Sequence, residues 1–400
     1  MTNLDYLYDK EAVKGLFGLD YFSGKELGFR TIERGTILPH NHTGDDGKWT
    51  WLGLGGIVDS NGEFIKESFI HTGVGGAYKP ESVLKSPKTV IYLGISYYIW
   101  GHCLTDNIRR LWFLKSEFME QFKNCPIVYI AWDKYDIEYQ QNFKRLLEIL
   151  GVDVSRLQKI TQPTQFDKII LPDEAFYVDN RRRFTKEYCE MIERVRDFAL
   201  KNRTPVANKK VYYFHGRNQI GEERLAQYFK AKGYKIIPPE NLTLDEQLNW
   251  LINCESFAST LGSCAHNSIF LRDGTETIFI PRSSDRFTVY QQALNQIRPL
   301  KDFYVDSSMS VFNQAFGVYC YIVSRQLKEF FGDKWAGYDE GDFKIFLRYV
   351  KSSLDNGVVV NPKIKSSYDK ILPDFLAQLK QHKDLIAVYD LPPDWEKALS

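Results

Sequence analysis

From residue 88 onward the chain alternates short apolar runs with longer stretches of 3.6-residue periodicity. Such alternation predicts strands followed by helices. "TVIYLG" (89–94) predicts a strand and 101–122 a helix. "PIVYIAW" (126–132) predicts a strand, 136–150 a helix, and "KIILP" (168–172) a further strand. Residues 184–200 form a long amphipathic pattern, taken as a connector helix. The rhythm then restarts. "KVYYFHG" (210–216) predicts a strand, and 222–233 a helix closed by Gly233 as a C-terminal cap. "YKIIPP" predicts a strand, 242–254 a helix, "SFAST" a strand, 264–271 a helix and "ETIFIPR" (276–282) a strand. Further helices are expected around 341–355 and 367–382. Before this rhythm begins, Ile57-Val58-Asp59 and Glu63-Phe64-Ile65 flank Ser60-Asn61-Gly62. Asn-Gly between apolar runs predicts a β-hairpin.

Repeated strand–helix units imply parallel sheets with helices on both faces. The expectation is an α/β protein with two Rossmann-like domains facing a cleft. The first covers 1–200 and the second covers 201–335. A helical segment, 336–400, follows. The chain has 400 residues, enough for two domains.

Charge and cysteine content narrow the class. Lys plus Arg total 52 against 51 Asp plus Glu, so bulk nucleic-acid binding is not expected. The six cysteines form no CxxC pair and no zinc spacing. "MTNLDYLYDKEAVKG" lacks the apolar core of a signal peptide. No apolar run reaches the roughly 18 residues that a membrane helix needs. These features predict a reduced, cytoplasmic protein with at most peripheral contact at the inner face of a membrane. The 24 Tyr and 27 Phe suit a core, and also suit stacking of sugars or bases.

In open α/β sheets ligands bind beyond the carboxyl ends of the strands, so residues just after strands are informative. Three stretches qualify. In "FHGRNQIGEERL", Arg217 and Asn218 lie between a strand and a helix starting near Gly221. A helix N-terminus with an arginine fork is a seat for a diphosphate; the alternative is a loop arginine paired with Glu222 or Glu223. In "STLGSCAHNSIFL", Gly262 and Ser263 make a tight turn before His266 and Asn267. Small residues there let backbone approach an anion or sugar; the alternative is a turn whose His and Asn satisfy nearby backbone. In "GHCLTDNIRRLWFL", His102, Asp106, Arg109 and Phe113 share a helix column, opposite Leu104, Ile108, Leu111 and Trp112. A histidine and a carboxylate one turn apart suit a general base with its orienting partner; the alternative is a solvated face.

Other features carry less. Arg181-Arg182-Arg183 reads as a solvated or capping run, and His40 and His42 lack a third metal ligand at useful spacing. "GDDGK" and "DEGD" are not DxD motifs after a strand, and no P-loop occurs. No metal site and no cofactor are expected.

These stretches together resemble glycosyltransferase family 61. "GGIVDSNG" (55–62) is similar to the family's N-terminal hairpin. His102, Asp106 and "RRL" (109–111) are similar to its His-x-x-x-Asp helix. "YYFHGRNQIGEERL", "LTLDEQL" with Gln247, and "GSCAHNSIF" (262–270) follow in the family's order. The resemblance covers roughly 50–290. It implies a GT-B fold, metal-independent inversion and a nucleotide-sugar donor, usually UDP-linked. It also implies a glycan or glycolipid acceptor, in capsule or lipopolysaccharide synthesis. Arg217, Asn218, Gln247, Gly262, Ser263, His266 and Asn267 would hold the donor. Asp106 is the first choice for the base and His102 the second, with Arg109 orienting either. The rival readings are a non-catalytic nucleotide-binding subunit of transferase origin and a metal-dependent GT-A transferase.

Overall fold

The protein is described from a computed structural model, over residues 2–69, 75–132, 137, 140–179, 182–216, 219–283, 289–312, 318–360 and 368–399. It is an α/β protein of two compact units. One holds Tyr21–Asn202 with Thr243–Asp245. The other holds the chain up to Asp20, Arg203–Leu242 and everything from Glu246 onward.

The first unit is built on an eight-stranded mixed sheet. Its parallel part runs, in spatial order, Leu157–Lys159, Ile127–Ala131, Leu84–Ser96 and Thr164–Pro172. In chain order these are the third, second, first and fourth strands, so the order reverses between Leu84–Ser96 and Thr164–Pro172. Antiparallel strands Phe29–Glu33, Thr36–Thr43, Trp49–Val58 and Phe64–Ile65 extend the sheet beyond Thr164–Pro172. The expected hairpin is present: Ile57 pairs with Ile65 and Val58 with Phe64. Asp59 Oδ1 closes its turn by accepting from the Asn61 and Glu63 amides at 2.8 and 2.9 Å. The other antiparallel strands were not expected. Histidines in Thr36–Thr43 and glycines in Trp49–Val58 interrupt the apolar alternation that marks a strand.

The helix expected over 101–122 is replaced by short pieces. An α-turn, Trp100–His102, runs into a π-helix, Cys103–Asn107, and two 3-10 segments follow, Leu111–Lys115 and Glu117–Phe122. The cause is local. Asn107 uses its side-chain amide as a strand would, accepting from Tyr97 N and donating to Tyr97 O, both at 2.9 Å. Tyr188, on helix Lys186–Lys201, donates to the Leu104 carbonyl at 2.5 Å.

The second unit carries a six-stranded parallel sheet. Its spatial order is Lys235–Ile237, Lys210–Tyr213, Ser256–Thr260, Glu276–Ile280, Lys301–Val305 and Thr2–Tyr6. The order reverses between Lys210–Tyr213 and Ser256–Thr260. Apolar strands such as Phe257 and Ile278, buried on both faces, make this sheet the unit's core. The domain limits differ from the expected ones in two places. Residues 2–20 belong here, because Thr2–Tyr6 adds the edge strand beside Lys301–Val305. The C-terminal helices belong here too: Phe343, Phe346 and Phe375, from Glu340–Asp355 and Leu372–Leu379, share one core with Met309 and Ile322. The helix expected over 264–271 is a single α-turn, Ser263–His266, followed by the 3-10 segment Asn267–Phe270.

Candidate functional site

Each sheet carries its candidate residues at its own order reversal, where open α/β sheets bind ligands. In the eight-stranded sheet, Leu84–Ser96 ends and leads into the π-helix with His102 and Asp106. Thr164–Pro172 ends and leads at once to Asp173 and Glu174. His102 Nδ1 lies 2.7 Å from Asp106 Oδ2, which also accepts from Thr105 Oγ1 at 2.8 Å. The Asp106 side chain is 3% exposed, whereas that of His102 is 29% exposed. So the carboxylate is sealed beneath and the imidazole is what solvent reaches. A carboxylate on Nδ1 holds the neutral ring in the tautomer with Nε2 unprotonated. A π-helix widens the backbone at the turn that carries both residues, a frequent feature of functional sites.

Below this pair lies a closed charge network. Arg109 Nη1 is 3.6 Å from Asp106 Oδ1, and its Nε is 3.3 Å from Glu174 Oε1. Arg109 Nη2 donates to the Phe69 carbonyl at 2.6 Å. Arg110 donates to Glu174 Oε1 at 2.7 Å, to Pro172 O at 2.9 Å and to Glu67 O. Both guanidinium groups are buried. Burial works against the Arg109 charge, but Glu174 and Asp106 outweigh it and raise its pKa above the ordinary value. Burial, aided by Arg109, pulls Arg110 down to about 10 against the opposing pull of Glu174. Both remain cations at neutral pH. Gly94 makes this possible: a Cβ there would stand 2.9 Å from Arg110 Nη1. A cavity of about 190 Å³ opens beside Arg110 and Glu174, with Lys25, Asp173 and Tyr177 on its walls. The polar side of the 102–113 column is therefore buried and not the solvated face of the alternative reading. Phe113, the odd member, packs with Phe29, Phe118 and Trp112.

In the six-stranded sheet, the loops after Lys210–Tyr213 and Ser256–Thr260 flank the reversal. Glu222 ties them together. Its carboxylate accepts from the Gly216 and His215 amides at 2.7 and 3.2 Å, and from Tyr212 Oη and Thr260 Oγ1 at 3.3 Å. With no cation among these donors, burial keeps its pKa raised. Arg217 and Asn218 lie outside the described residues. Gly262 has φ +136°, and a Cβ there would stand 2.1 Å from Arg282 Nη2. The guanidinium of Arg282 therefore lies against the Gly262 backbone, with its Cζ 5.1 Å from the Tyr319 ring centre. Its Nε is buried and has no hydrogen-bond partner among the described residues.

The remaining expected donor residues work from beneath. His266 is buried and its Nδ1 meets Gln291 Oε1 at 2.8 Å. Gln291 continues to Asn295, which donates to Asp302. Asn267 donates to the Ser263 and Cys264 carbonyls at 3.4 and 3.0 Å, holding the short turn. Gln247 donates to the carbonyls of Pro239 and Leu242 at 2.9 and 3.1 Å. Ser263 stands half-buried on the turn itself. The helix dipole expected behind this turn is small, because the α-segment is four residues long.

Glu174 and Arg282 escaped the sequence reading. Each sits within two residues of a strand's carboxyl end, a position that was the available signal. Among the described residues, no group of three or more His, Cys, Asp or Glu side chains is placed to hold a metal ion. None of the six cysteines is in a disulfide, and burial pushes the Cys264 thiol up to about 12.

Residues 100–278 match the family model Glycosyltransferase 61. The match begins two residues before His102 and ends inside strand Glu276–Ile280, so it takes in His102, Asp106 and Glu174 at one order reversal and both strands of the other. The chain carries a glycosyltransferase 61 domain. The protein is thus a glycosyltransferase, with a sugar donor and an acceptor as its substrates. No curated protein matches the chain. In this transferase the match leaves out Arg282 and the Trp49–Val58 hairpin strand, which are properties of the chain outside the matched domain. Among the described residues no helix is long and apolar enough to cross a membrane.

Proposed function

We propose that this glycosyltransferase, of the GT-B class, moves a sugar with inversion from a UDP-linked donor to a hydroxyl of a glycan acceptor, without a metal. The observation that carries the reading is the His102–Asp106 pair: one exposed imidazole, oriented by one sealed carboxylate. Direct inversion needs a single base for the acceptor hydroxyl and no covalent nucleophile. His102 Nε2 takes that proton; Asp106, itself paired with Arg109, holds the ring and stabilises the imidazolium as it forms. This reverses the order expected from sequence, because Asp106 is too deeply buried to reach a substrate hydroxyl. The other unit supplies the donor seat, with Gly262, Ser263 and Arg282 beside the diphosphate and Arg217 and Asn218 on the neighbouring loop. Positive charge fixed there meets the negative charge that develops on the leaving diphosphate. The proposal places the enzyme in the cytoplasm, in surface-polysaccharide synthesis, with at most peripheral membrane contact.

A thermal-shift screen against nucleotide sugars identifies the donor. A ligand at about 100 times its Kd adds about 2.7 kcal/mol of stability. With that donor, His102→Ala lowers kcat by about 10²–10⁴. Asp106→Asn also lowers kcat, and both variants keep the donor Kd. Turnover unchanged in His102→Ala removes the histidine from the chemistry. Loss of turnover in EDTA, restored by a divalent cation, removes metal independence.

A further inference from the structure

The cavity of about 190 Å³ at the carboxyl end of Thr164–Pro172 lies within one unit. Its volume is roughly six times what one water molecule takes in the liquid, and it is smaller than a pocket for a drug-sized ligand. That is the room of one pyranose ring, not of a nucleotide.

Its charge is balanced pair by pair. Lys25 lies 3.2 Å from Asp173 Oδ2, Arg30 3.7 Å from Glu67 Oε2 and Arg110 2.7 Å from Glu174 Oε1. Three cations against three carboxylates leave no net charge to draw an ion of either sign. Leu171, Pro172 and Val178 add an apolar wall.

The pairing still leaves atoms over. Asp173 Oδ2 takes both Lys25 and the Gly28 amide, the latter at 3.1 Å. Glu174 Oε1 takes both Arg109 and Arg110. Among the described residues the second oxygens, Asp173 Oδ1 and Glu174 Oε2, have no hydrogen-bond or ion-pair partner. Glu174 lines the cavity yet is only 8% exposed. A carboxylate oxygen so enclosed is costly unless something donates to it. Lys25 and Arg30, for their part, each carry more N–H groups than one carboxylate uses.

Spare acceptors and spare donors without net charge call for a ligand that does both. A hydroxyl donates one proton and accepts on two lone pairs, so a sugar hydroxyl can bridge a carboxylate to a cation. A carboxylated sugar would face Asp173 and Glu174; an amino sugar would face Lys25 and Arg30. The position suits an acceptor. Leu84–Ser96 and Thr164–Pro172 run parallel, so His102 and Glu174 follow strand ends at the same end of the sheet. Polar contacts join them without a break, from Glu174 through Arg109 to Asp106 and His102.

We propose that this cavity is an acceptor subsite for one neutral sugar unit, held by hydroxyl bonds to Asp173, Glu174, Lys25 and Arg30. The proposal rests on the reading of His102 as the base, and it adds the acceptor's chemistry: an uncharged pyranose ring with its hydroxyls free.

Saturation-transfer NMR on the full chain tests it. The methyl glycosides of glucose, galactose and mannose are the neutral probes; glucuronate, glucosamine and UMP are the charged ones. At least one neutral glycoside is expected to receive saturation, and the charged probes little. Asp173→Ala removes the Oδ1 acceptor and weakens that glycoside by about ten- to hundredfold, the worth of a hydrogen bond to a charged group. Val178→Phe keeps every charge in place and fills the cavity from its wall, so binding is lost while the thermal midpoint holds. Trp335→Ala, in the other unit, binds as the parent does. The proposal is overturned if no neutral glycoside receives saturation, or if glucuronate or glucosamine binds as well as the neutral probes. It is overturned too if Asp173→Ala or Val178→Phe binds like the parent, or if UMP displaces the glycoside. The last outcome assigns the cavity to the donor. Binding is read without turnover, so it persists in His102→Ala even where unchanged turnover in that variant removes the histidine as the base.

Discussion

Asp106 and Glu174, at the reversal of the eight-stranded sheet, face guanidinium groups. Glu222, at the reversal of the six-stranded sheet, faces amides and hydroxyls instead. So do two other buried acids of that unit. Asp302 accepts from Thr277 and Asn295, and Asp306 from the Tyr8 amide at 2.7 Å. Asp342 is the exception there, with Arg224 donating to it at 2.9 Å. The difference divides labour. In the unit proposed to move a proton, charge is fixed in pairs and kept at neutral pH. In the unit proposed to seat the donor, a carboxylate serves as a multiple acceptor for the loop backbone, and burial raises its pKa.

The sharpest way to break this comparison is to remove Glu174. Glu174→Ala leaves Arg109 and Arg110 buried without their shared partner, which costs about 3–5 kcal/mol. Urea unfolding of the full chain reads it directly. Glu174→Gln, which keeps an acceptor oxygen, costs less. A loss below about 1 kcal/mol in Glu174→Ala means the network is not closed as described.

The unpaired acids give a pH dependence of opposite origin. Burial raises Asp306 from 3.8 to about 7. Below pH 3.8 the carboxyl is protonated in both folded and unfolded chains, and its full relative stability is present. As pH rises, the unfolded chain ionises first, so stability falls until pH passes about 7. Asp306→Asn removes this slope. Its stability relative to the parent therefore rises by roughly 2–3 kcal/mol between pH 5 and pH 7. Parallel curves for the two proteins would mean that Asp306 is ionised throughout.

At the smaller end, Arg282→Ala tests whether the backbone-built site still needs a cation. The loss of one charged hydrogen bond is about 1.5–3 kcal/mol, roughly tenfold to a hundredfold in Kd for UDP by calorimetry. Arg282→Lys recovers part of it, because charge returns without the planar fork. An unchanged Kd places the diphosphate elsewhere.

What could be read from the sequence was local chemistry. Asn61-Gly62 announced its hairpin because the turn type is decided by those two residues. The strands at the first reversal stood out as apolar runs, since both faces of a parallel sheet are covered. The spacing of His102, Asp106 and Arg109 was equally plain, but their surroundings were not. Arginines and carboxylates on one column read as a wet face, and only the carbonyls of Phe69, Pro172 and Glu67, brought from other segments, make it a dry one. Glu174 and Arg282 stand alone in the sequence, and their meaning comes from partners far along the chain. The strand Thr2–Tyr6 was invisible for the same reason: nothing in five mixed residues names a neighbour three hundred positions away.

That strand has a consequence in time. Thr2 pairs with Asp302 and Asn3 with Phe303. A ribosome adding roughly 5–20 residues per second needs about 15–60 seconds to make the partner after the strand itself has emerged. Thr2–Tyr6 thus waits for a partner made about 300 residues later. During that wait its backbone donors and acceptors stay hydrated, and loop closure over the intervening chain makes docking a late, slow event. Assembly of the six-stranded sheet is therefore paced by synthesis of Lys301–Val305, and a nascent chain halted before residue 301 carries Thr2–Tyr6 unpaired.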